Sequence, residues 1–220
     1  MNVVIIGAGG HGKVVLDILQ HNRDLTLIGF IDDDINSHHK TIEGVAVLGD
    51  VDSLSTLVPA CNLESAIAAV GDNKTRAGLY EKIKKLGLKM INAVHPDALI
   101  AKDVKIGEGV VIAAGAIINT GTRIGNNVII NTGVIIDHDN IIEDHAHISP
   151  GVNLAGRVTV KKYAHVGLGV TVESEKTIGE NATVGAGAVV LEDISDNAIS
   201  VGVPAKVIRY KEPTTPAGLK

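Results

Sequence analysis

Hydrophobic residues in the second half of the chain recur at every sixth position. From Ile100 onward one phase holds an aliphatic side chain without a slip, and its members are Ile100, Ile106, Ile112, Ile118, Ile124, Ile130, Ile136, Ile142, Ile148, Leu154, Val160, Val166, Val172, Ile178, Val184 and Val190. A helix would need apolar spacings of three and four, and a half-buried strand would alternate at two. A period of six fits neither, so the pattern predicts a structural repeat.

A second stripe, made mostly of small residues, lies four positions after each aliphatic residue. Its members are Val104, Val110, Ala116, Thr122, Val128, Val134, Asn140, Ala146, Val152, Val158, Ala164, Val170, Lys176, Ala182, Ala188 and Ile194. The residue directly after the aliphatic one is usually small or polar, as in Ile106-Gly107 and Ile178-Gly179, and such residues accommodate tight bends. The two stripes therefore predict a three-sided solenoid of short strands, with coils stacked about 4.8 Å apart through parallel backbone hydrogen bonds.

This pattern resembles the hexapeptide-repeat family, whose coils form a left-handed parallel β-helix. The resemblance rests on the aliphatic-Gly-x-x-small-x unit, which residues 100–195 repeat through about five coils without an insertion. We expect the β-helix to occupy residues 96–210, with a flexible tail at 211–220. A purely structural solenoid is the alternative to an enzyme built on this repeat.

The first part of the chain, residues 1–95, has a different pattern of hydrophobic residues. Apolar runs that suit buried strands alternate with segments whose apolar residues have helical spacing, which predicts a small parallel sheet with packed helices. The predicted strands are 3–6, 25–31, 66–70 and 88–94, and the predicted helices are 13–21 and 75–86. The predicted fold class is therefore an α/β Rossmann-like domain followed by a left-handed parallel β-helix.

A glycine-rich loop follows the first predicted strand. Gly7, Gly9 and Gly12 match the Gly-x-Gly-x-x-Gly spacing, and Asp32 ends the next strand. Such glycines let the backbone approach a pyrophosphate at the start of a helix, and the carboxylate can accept hydrogen bonds from a hydroxyl or ring N–H. A complete NAD site needs a larger sheet, and His11 is unusual in a simple phosphate loop, so we favour a nucleotide sugar over NAD. A glycine turn without a ligand is the third possibility.

Composition narrows the classes of partner. The chain has 220 residues, a formal net charge of −5, only 2% aromatic residues and one cysteine, Cys61. Its scattered cations and scarce aromatics argue against a nucleic-acid partner and against a polybasic membrane anchor. An N-terminus without a cationic region and the absence of a long apolar stretch lead us to expect a cytoplasmic protein without a membrane partner.

A cluster of histidines and aspartates interrupts the apolar solenoid. His138 lies between Asp137 and Asp139, and His145 and His147 follow shortly after. Polar residues that break a local pattern are where function is expected. A carboxylate bonded to one imidazole nitrogen fixes the tautomer and lets the other nitrogen act as a general base for acyl transfer. A metal site formed by the three histidines is the alternative, which we disfavour because the short sides of the coil point these residues in different directions.

The whole chain resembles the sugar O-acyltransferases of the sialic acid O-acetyltransferase type, and particularly the nucleotide-linked amino-sugar N-acetyltransferases that act on bacillosamine and perosamine. The resemblance is carried by Gly7-Ala8-Gly9-Gly10-His11-Gly12-Lys13, Asp32-Asp33, Val70-Gly71-Asp72-Asn73, the stretch from Asn131-Thr132-Gly133 to Asp137-His138-Asp139, and Gly202-Val203-Pro204-Ala205-Lys206. It implies an acetyl-CoA-dependent enzyme without a metal, and a homotrimer whose active sites lie between adjacent β-helices.

The resemblance also implies a role for each matching residue. His138 would be the general base and Asp139 its carboxylate partner, although the family more often has Glu at that position, which leaves Asp137 as an alternative partner. His147 and the backbone N–H of Gly156 would face the thioester carbonyl. The nucleotide sugar would contact Gly9, Gly10, His11, Asp32, Asp33 and Gly71, and acetyl-CoA would contact Asn131, His147, Gly156, Leu168 and Ala186.

The function that follows is transfer of acetyl from acetyl-CoA to the amino group of a nucleotide-linked amino sugar. O-acetylation of a sialic acid or another sugar needs the same base and is the second hypothesis. A non-catalytic nucleotide-sugar sensor is the third, and it would have no reason to bind acetyl-CoA.

Overall fold

A computed structural model describes residues 1–212 and divides them between an N-terminal α/β unit and a β-solenoid. Residues 213–220, which make up most of the expected flexible tail at 211–220, lie outside the described residues.

The N-terminal unit is a four-stranded parallel sheet in the order β2-β1-β5-β6, with helices packed on it and a small antiparallel hairpin, β3 and β4, beside it. Its elements are β1 (Asn2–Ile6), α1 (Gly10–Gln20), β2 (Thr26–Ile31), a 3-10 turn (Ile35–Ser37), β3 (Thr41–Ile42), β4 (Val45–Ala46), α2 (Leu54–Ala60), β5 (Ser65–Ala68), α3 (Asn73–Lys85) and β6 (Lys89–Met90). The hairpin and α2 were not predicted, because residues 35–60 show no clear hydrophobic period.

Local chemistry determines where the helices of this unit begin. Gly7 has a φ of +111°, and a side-chain carbon on Gly12 would overlap the Gly7 carbonyl, so α1 can start at Gly10 directly above β1. Asp72 caps α3 by accepting a hydrogen bond of 2.8 Å from the Thr75 N–H. Both loops that precede these helices therefore lie at the carboxyl ends of parallel strands, where open α/β sheets bind ligands.

The solenoid winds through three parallel sheets, in the way the period of six predicts. The first sheet contains β7 (Ala93–Val94), β10 (Val111–Ile112), β13 (Ile129–Ile130), β16 (His147–Ile148), β19 (His165–Val166), β22 (Thr183–Val184) and the final antiparallel pair β24 (Ala198–Val201) and β25 (Lys206–Tyr210). The second sheet contains β8 (Leu99–Ile100), β11 (Ile117–Ile118), β14 (Ile135–Ile136), β17 (Asn153–Leu154), β20 (Thr171–Val172) and β23 (Val189–Val190). The third sheet contains β9 (Lys105–Ile106), β12 (Arg123–Ile124), β15 (Ile141–Ile142), β18 (Thr159–Val160) and β21 (Thr177–Ile178). The fold is a Rossmann-like α/β unit followed by a left-handed parallel β-helix, as predicted.

The solenoid core is built from the two stripes seen in the sequence. Each sixth-position aliphatic residue is the second residue of a strand and points inward, and the small stripe fills the space beside it. The predicted strand 88–94 is two strands in the structure: β6 joins the N-terminal sheet, and β7 pairs with β10 in the solenoid. The first coil therefore starts ahead of the His95-Pro96 pair.

The N-terminal unit packs on the outer face of the first sheet. Val15 and Ile18 of α1 belong to the same buried cluster as Val111 and Ile129, whose side chains alternate with the inward-pointing residues of their strands. The next outward positions in this register are His147 and His165. No helix within residues 1–212 has the length and apolar character needed to cross a membrane.

Candidate active site

His138 and Asp139 lie at the corner where the chain passes from the second to the third sheet of the solenoid. The Asp139 Oδ2 atom lies 2.9 Å from His138 Nδ1, and both side chains are exposed to solvent. Since the carboxylate can only accept, Nδ1 carries a hydrogen, and the neutral form of the ring has its lone pair on Nε2. This arrangement can abstract a proton from a bound nucleophile.

Asp137 has a different part in this corner. Its Oδ1 atom accepts hydrogen bonds from the backbone N–H of His138 at 2.8 Å and from the Asn119 side chain at 3.2 Å. Asp137 therefore holds the backbone of the turn, while the carboxylate that faces the imidazole belongs to Asp139.

Two glycines make room for this pair. A side-chain carbon on Gly156, one coil above, would lie 2.5 Å from His138 Nε2, and one on Gly121, one coil below, would overlap the Asp139 carboxylate. Among the described residues, no acceptor receives a hydrogen bond from the Gly156 N–H, while its neighbours Ala155 and Arg157 donate to the adjacent coils. The Gly156 backbone therefore passes close to His138 Nε2 and keeps an N–H with no acceptor among the described residues.

The glycine loop and the end of β2 form a second part of the site. Asp32 accepts hydrogen bonds from the backbone N–H groups of Ala8, at 2.6 Å, and Asp34, at 2.8 Å, so its carboxylate ties the glycine loop to β2. Asp33 accepts from the Val51 N–H at 2.9 Å. A cavity of about 200 Å³ opens here and is lined by Ile6, Gly7, Ile31, Asp32, Asp33, Val51, Val70, Thr75 and Leu79. Gly9 and Gly10 are exposed beside it.

Three imidazole rings lie between this loop and the first sheet. The rings of His147 and His165 stack with their centroids 4.8 Å apart, and the His11 ring lies 6.5 Å from that of His147. Burial, reinforced by the neighbouring positive charge of Arg76, lowers the pKa of His11 to about 4. Burial, reinforced by His165 and Arg76, lowers the pKa of His147 to about 3, so both rings are neutral near pH 7.

Arg76 is a functional candidate that the sequence analysis missed. Its side chain is completely buried, and its guanidinium donates to the carbonyls of Val70 at 3.0 Å, Gly71 at 3.1 Å, Asn127 at 3.1 Å and His145 at 2.8 Å. It thus joins the Gly71 loop to the solenoid. A signal was present: positions 76, 80 and 83 share one face of α3, and an arginine in a buried stripe is rare without a special role.

The residues expected to bind acetyl-CoA are divided between two places in one chain. Asn131 lies beside His147, with Nδ2 3.5 Å from Nε2, and Leu168 and Ala186 are exposed one above the other at the corner between the first and second sheets. Gly156 lies at the His138 corner instead. His147 and Gly156 were expected to face one thioester carbonyl, and a single chain places them on different sides of the coil.

The alternative metal set of His138, His145 and His147 is not brought together. His145 Nδ1 accepts from the Asn127 side chain at 2.9 Å, and its ring stacks on Tyr163 at 5.0 Å. His147 belongs to the first sheet, and His138 to a corner between the other two. Within residues 1–212, no group of three or more His, Cys, Asp or Glu side chains is arranged to hold a metal ion.

The left-handed solenoid and the exposed His-Asp pair define a hexapeptide-repeat acyltransferase, and comparison with known proteins gives the family. A family model described as the PglD N-terminal domain matches residues 2–83. Perosamine N-acetyltransferase from Caulobacter crescentus, solved as a histidine-to-asparagine variant in complex with CoA and GDP-perosamine, is 39% identical, with a TM-score of 0.89 over 94% of this chain and 96% of that one.

Two further relatives agree. The acetyltransferase domain of PglB from Neisseria gonorrhoeae FA1090, in complex with acetyl coenzyme A, is 33% identical, with a TM-score of 0.87 over 94% of this chain and 98% of that one. UDP-N-acetylbacillosamine N-acetyltransferase from Bacillus subtilis (strain 168) is 40% identical over 118 residues, so the match spans about half of each chain, 51%. The chain belongs to the family of nucleotide-sugar N-acetyltransferases that includes the perosamine and bacillosamine enzymes.

Proposed function

We propose that this protein transfers the acetyl group of acetyl-CoA to the amino group of a nucleotide-linked 4-amino sugar. The observation that carries the proposal is the exposed His138-Asp139 pair beside Gly156, in a chain that also has a cavity of about 200 Å³ at the Asp32-Asp33 strand end. The relatives support it, because the perosamine N-acetyltransferase was solved with CoA and GDP-perosamine, and the acetyltransferase domain of PglB was solved with acetyl coenzyme A.

The mechanism we propose is direct attack in a ternary complex. The neutral amine nitrogen forms a bond to the thioester carbonyl carbon, and Nε2 of His138 takes the proton that the nitrogen loses. The Gly156 N–H stabilises the negative charge that develops on the carbonyl oxygen. The tetrahedral intermediate then collapses with cleavage of the C–S bond, and the protonated His138 returns its proton to the CoA thiolate. Asp139 stabilises the imidazolium between these two steps.

The separation of the site within one chain leads us to propose a homotrimer with active sites between copies. The nucleotide-sugar residues (Gly9, Gly10, His11, Asp32, Asp33 and Gly71) and the acetyl-CoA residues Asn131, His147, Leu168 and Ala186 lie on or beside the first sheet. The residues that act on the acetyl group (His138, Asp139 and Gly156) lie at the corner opposite that sheet. A neighbouring copy that presents its His138 corner to this first-sheet surface would complete the site.

Thiol release from acetyl-CoA in the presence of UDP- and GDP-linked 4-amino sugars, with free sialic acid included, tests the proposal. We expect release with one amino sugar, and a loss of about a hundredfold or more in His138→Ala. His39→Ala is the matched control, because His39 is exposed in a loop of the N-terminal unit. Near-normal turnover by His138→Ala would exclude this base.

The assignment of the carboxylate has its own comparison. Asp139→Asn should lower kcat, because the amide no longer stabilises the imidazolium, whereas Asp137→Asn should chiefly lower the stability of the turn.

Thiol release with sialic acid but with no amino sugar would favour O-acetylation. Nucleotide-sugar binding without acetyl-CoA binding, measured by calorimetry, would favour a sensor.

A further inference from the structure

One backbone carbonyl, that of Gly71, connects the buried arginine to the stacked histidines. Arg76 Nη1 donates to it at 3.1 Å, and His147 Nδ1 lies 3.2 Å from it. A carbonyl oxygen has only lone pairs, so the Nδ1 atom of His147 must be the nitrogen that carries the hydrogen.

The other nitrogen of the same ring is assigned independently. The Asn131 Oδ1 atom accepts from the Thr132 N–H at 2.9 Å, which turns the amide nitrogen of Asn131 toward His147. That nitrogen lies 3.5 Å from Nε2, at the long limit for a donor approaching a lone pair. Both neighbours of the ring are therefore consistent with the same tautomer.

Burial and nearby charge keep the His147 ring neutral. The pKa of His147 is lowered to about 3 by burial first, and then by electrostatic repulsion from His165 and Arg76. Burial also lowers the pKa of Arg76 to about 10, so the guanidinium remains charged near pH 7. A neutral imidazole has a single N–H, and in His147 this N–H donates to the Gly71 carbonyl.

We infer that Arg76 is a positioning residue that fixes the Gly71 carbonyl and, through it, the tautomer of His147, so that His147 Nε2 accepts a hydrogen bond from a donor on the bound ligand. This inference rests on the proposed function for the identity of the ligand. The donor is a hydroxyl of the sugar or an amide N–H of the pantetheine arm, and not the thioester carbonyl, because a carbonyl needs a donor and the only N–H of His147 is already in use.

The guanidinium suits this task better than an ammonium group would. Its hydrogen bonds reach the loop after β5, the start of α3 through Asn73, at 2.8 Å, and the solenoid turns at Asn127 and His145. A lysine has one nitrogen and cannot reach these groups together. Arg76→Lys therefore keeps the positive charge and removes the set of simultaneous hydrogen bonds.

Nitrogen NMR of protein labelled with ¹⁵N-histidine tests the inference without any substrate. In the unsubstituted protein we expect the His147 resonances, assigned by their loss in His147→Gln, to show the Nδ1–H tautomer and no titration between about pH 5 and 8. Arg76→Lys should give a mixture of tautomers, and a rise of about tenfold in KM for the nucleotide sugar or acetyl-CoA with a smaller change in kcat. Arg23→Lys, the same substitution at an exposed loop position, should change neither.

Two results would overturn the inference. One is an Nε2–H tautomer of His147 in the unsubstituted protein, and this result stands even if Arg76→Lys fails to fold. The other is a folded Arg76→Lys protein with unchanged histidine resonances and unchanged KM values. Failure of the proposed function would appear separately, as an absence of acetyl transfer with every acceptor, and would leave the tautomer measurement intact.

Discussion

At the scale of single residues, the His138 corner depends on glycine at two neighbouring positions, Gly156 and Gly121. The ring of His138 occupies the space where Gly156 would carry a Cβ, and the Asp139 carboxylate occupies the corresponding space at Gly121. The solenoid offers such space at its corners because equivalent positions of successive coils lie directly above one another. At this corner the His138 ring and the Asp139 carboxylate can lie along the axis of the coil stack because the neighbouring residues are Gly156 and Gly121.

Gly156→Ala follows directly from this geometry. The new methyl group would lie 2.5 Å from Nε2 and 2.6 Å from Cε1 of His138, so the ring must move away from its position beside the Gly156 N–H. We expect kcat to fall by about a hundredfold while thermal unfolding changes little, because the ring is partly exposed and can turn toward solvent. Gly78→Ala is the control, since its Cβ would meet nothing within 4 Å. Unchanged turnover in Gly156→Ala would contradict the site described here.

At the scale of elements, the solenoid was predictable because each coil repeats one local requirement. The aliphatic residue at every sixth position must fill the interior, so the period of the sequence predicts the architecture directly. The strand that ends before Asp32 was predicted separately, from its apolar run. The contact between His147 and the Gly71 carbonyl was not predictable, because it joins elements separated by 76 residues. The role of Arg76 was missed for the same reason, since three of its acceptors are backbone carbonyls of the solenoid.

Removal of one interior side chain should show how much each coil contributes. Ile130 is completely buried, between Ile112 and Ile148 in the stacked register of the first sheet. We expect Ile130→Ala to lower the free energy of unfolding by about 2–5 kcal/mol, because the rigid coils above and below cannot close the cavity. In Ile35→Ala, where the side chain is 77% exposed, the change should stay below about 0.5 kcal/mol. Equal losses measured by urea unfolding would mean that the interior repacks.

At the scale of the whole molecule, the buried histidines His11 and His147 make the free energy of unfolding depend on pH. The folded pKa values of His11, about 4, and His147, about 3, lie below the value of about 6.5 in an unfolded chain. Between the folded and unfolded pKa values, the unfolded state binds more protons than the folded state. The contribution of these histidines to the free energy of unfolding is therefore fully present above pH 6.5 and falls as the pH decreases. Each such histidine can contribute a slope of up to about 1.4 kcal/mol per pH unit.

Urea unfolding at pH 6.5 and at pH 5 measures this slope. We expect His147→Asn to lose less stability than the unsubstituted protein over this interval, because one proton-binding difference has been removed. His39→Asn, at an exposed position, should keep the full slope. The opposite order of His147→Asn and the unsubstituted protein would show that His147 is charged in the folded state.

The division of the site between two sides of the coil makes a prediction about mixed assemblies. His138→Ala removes the base at one corner, and Asp33→Lys blocks the cavity at the end of β2, so each protein alone should be inactive. If every site takes His138 from one copy and the nucleotide-sugar cavity from the next, random mixing of equal amounts leaves about one quarter of the sites with both parts intact. We therefore expect activity to return to about one quarter after the two variants are unfolded and refolded together, and not when they are mixed as folded proteins that do not exchange. A site contained in one chain would give no recovery, because no copy in the mixture carries both intact parts, and that result would exclude the arrangement between copies.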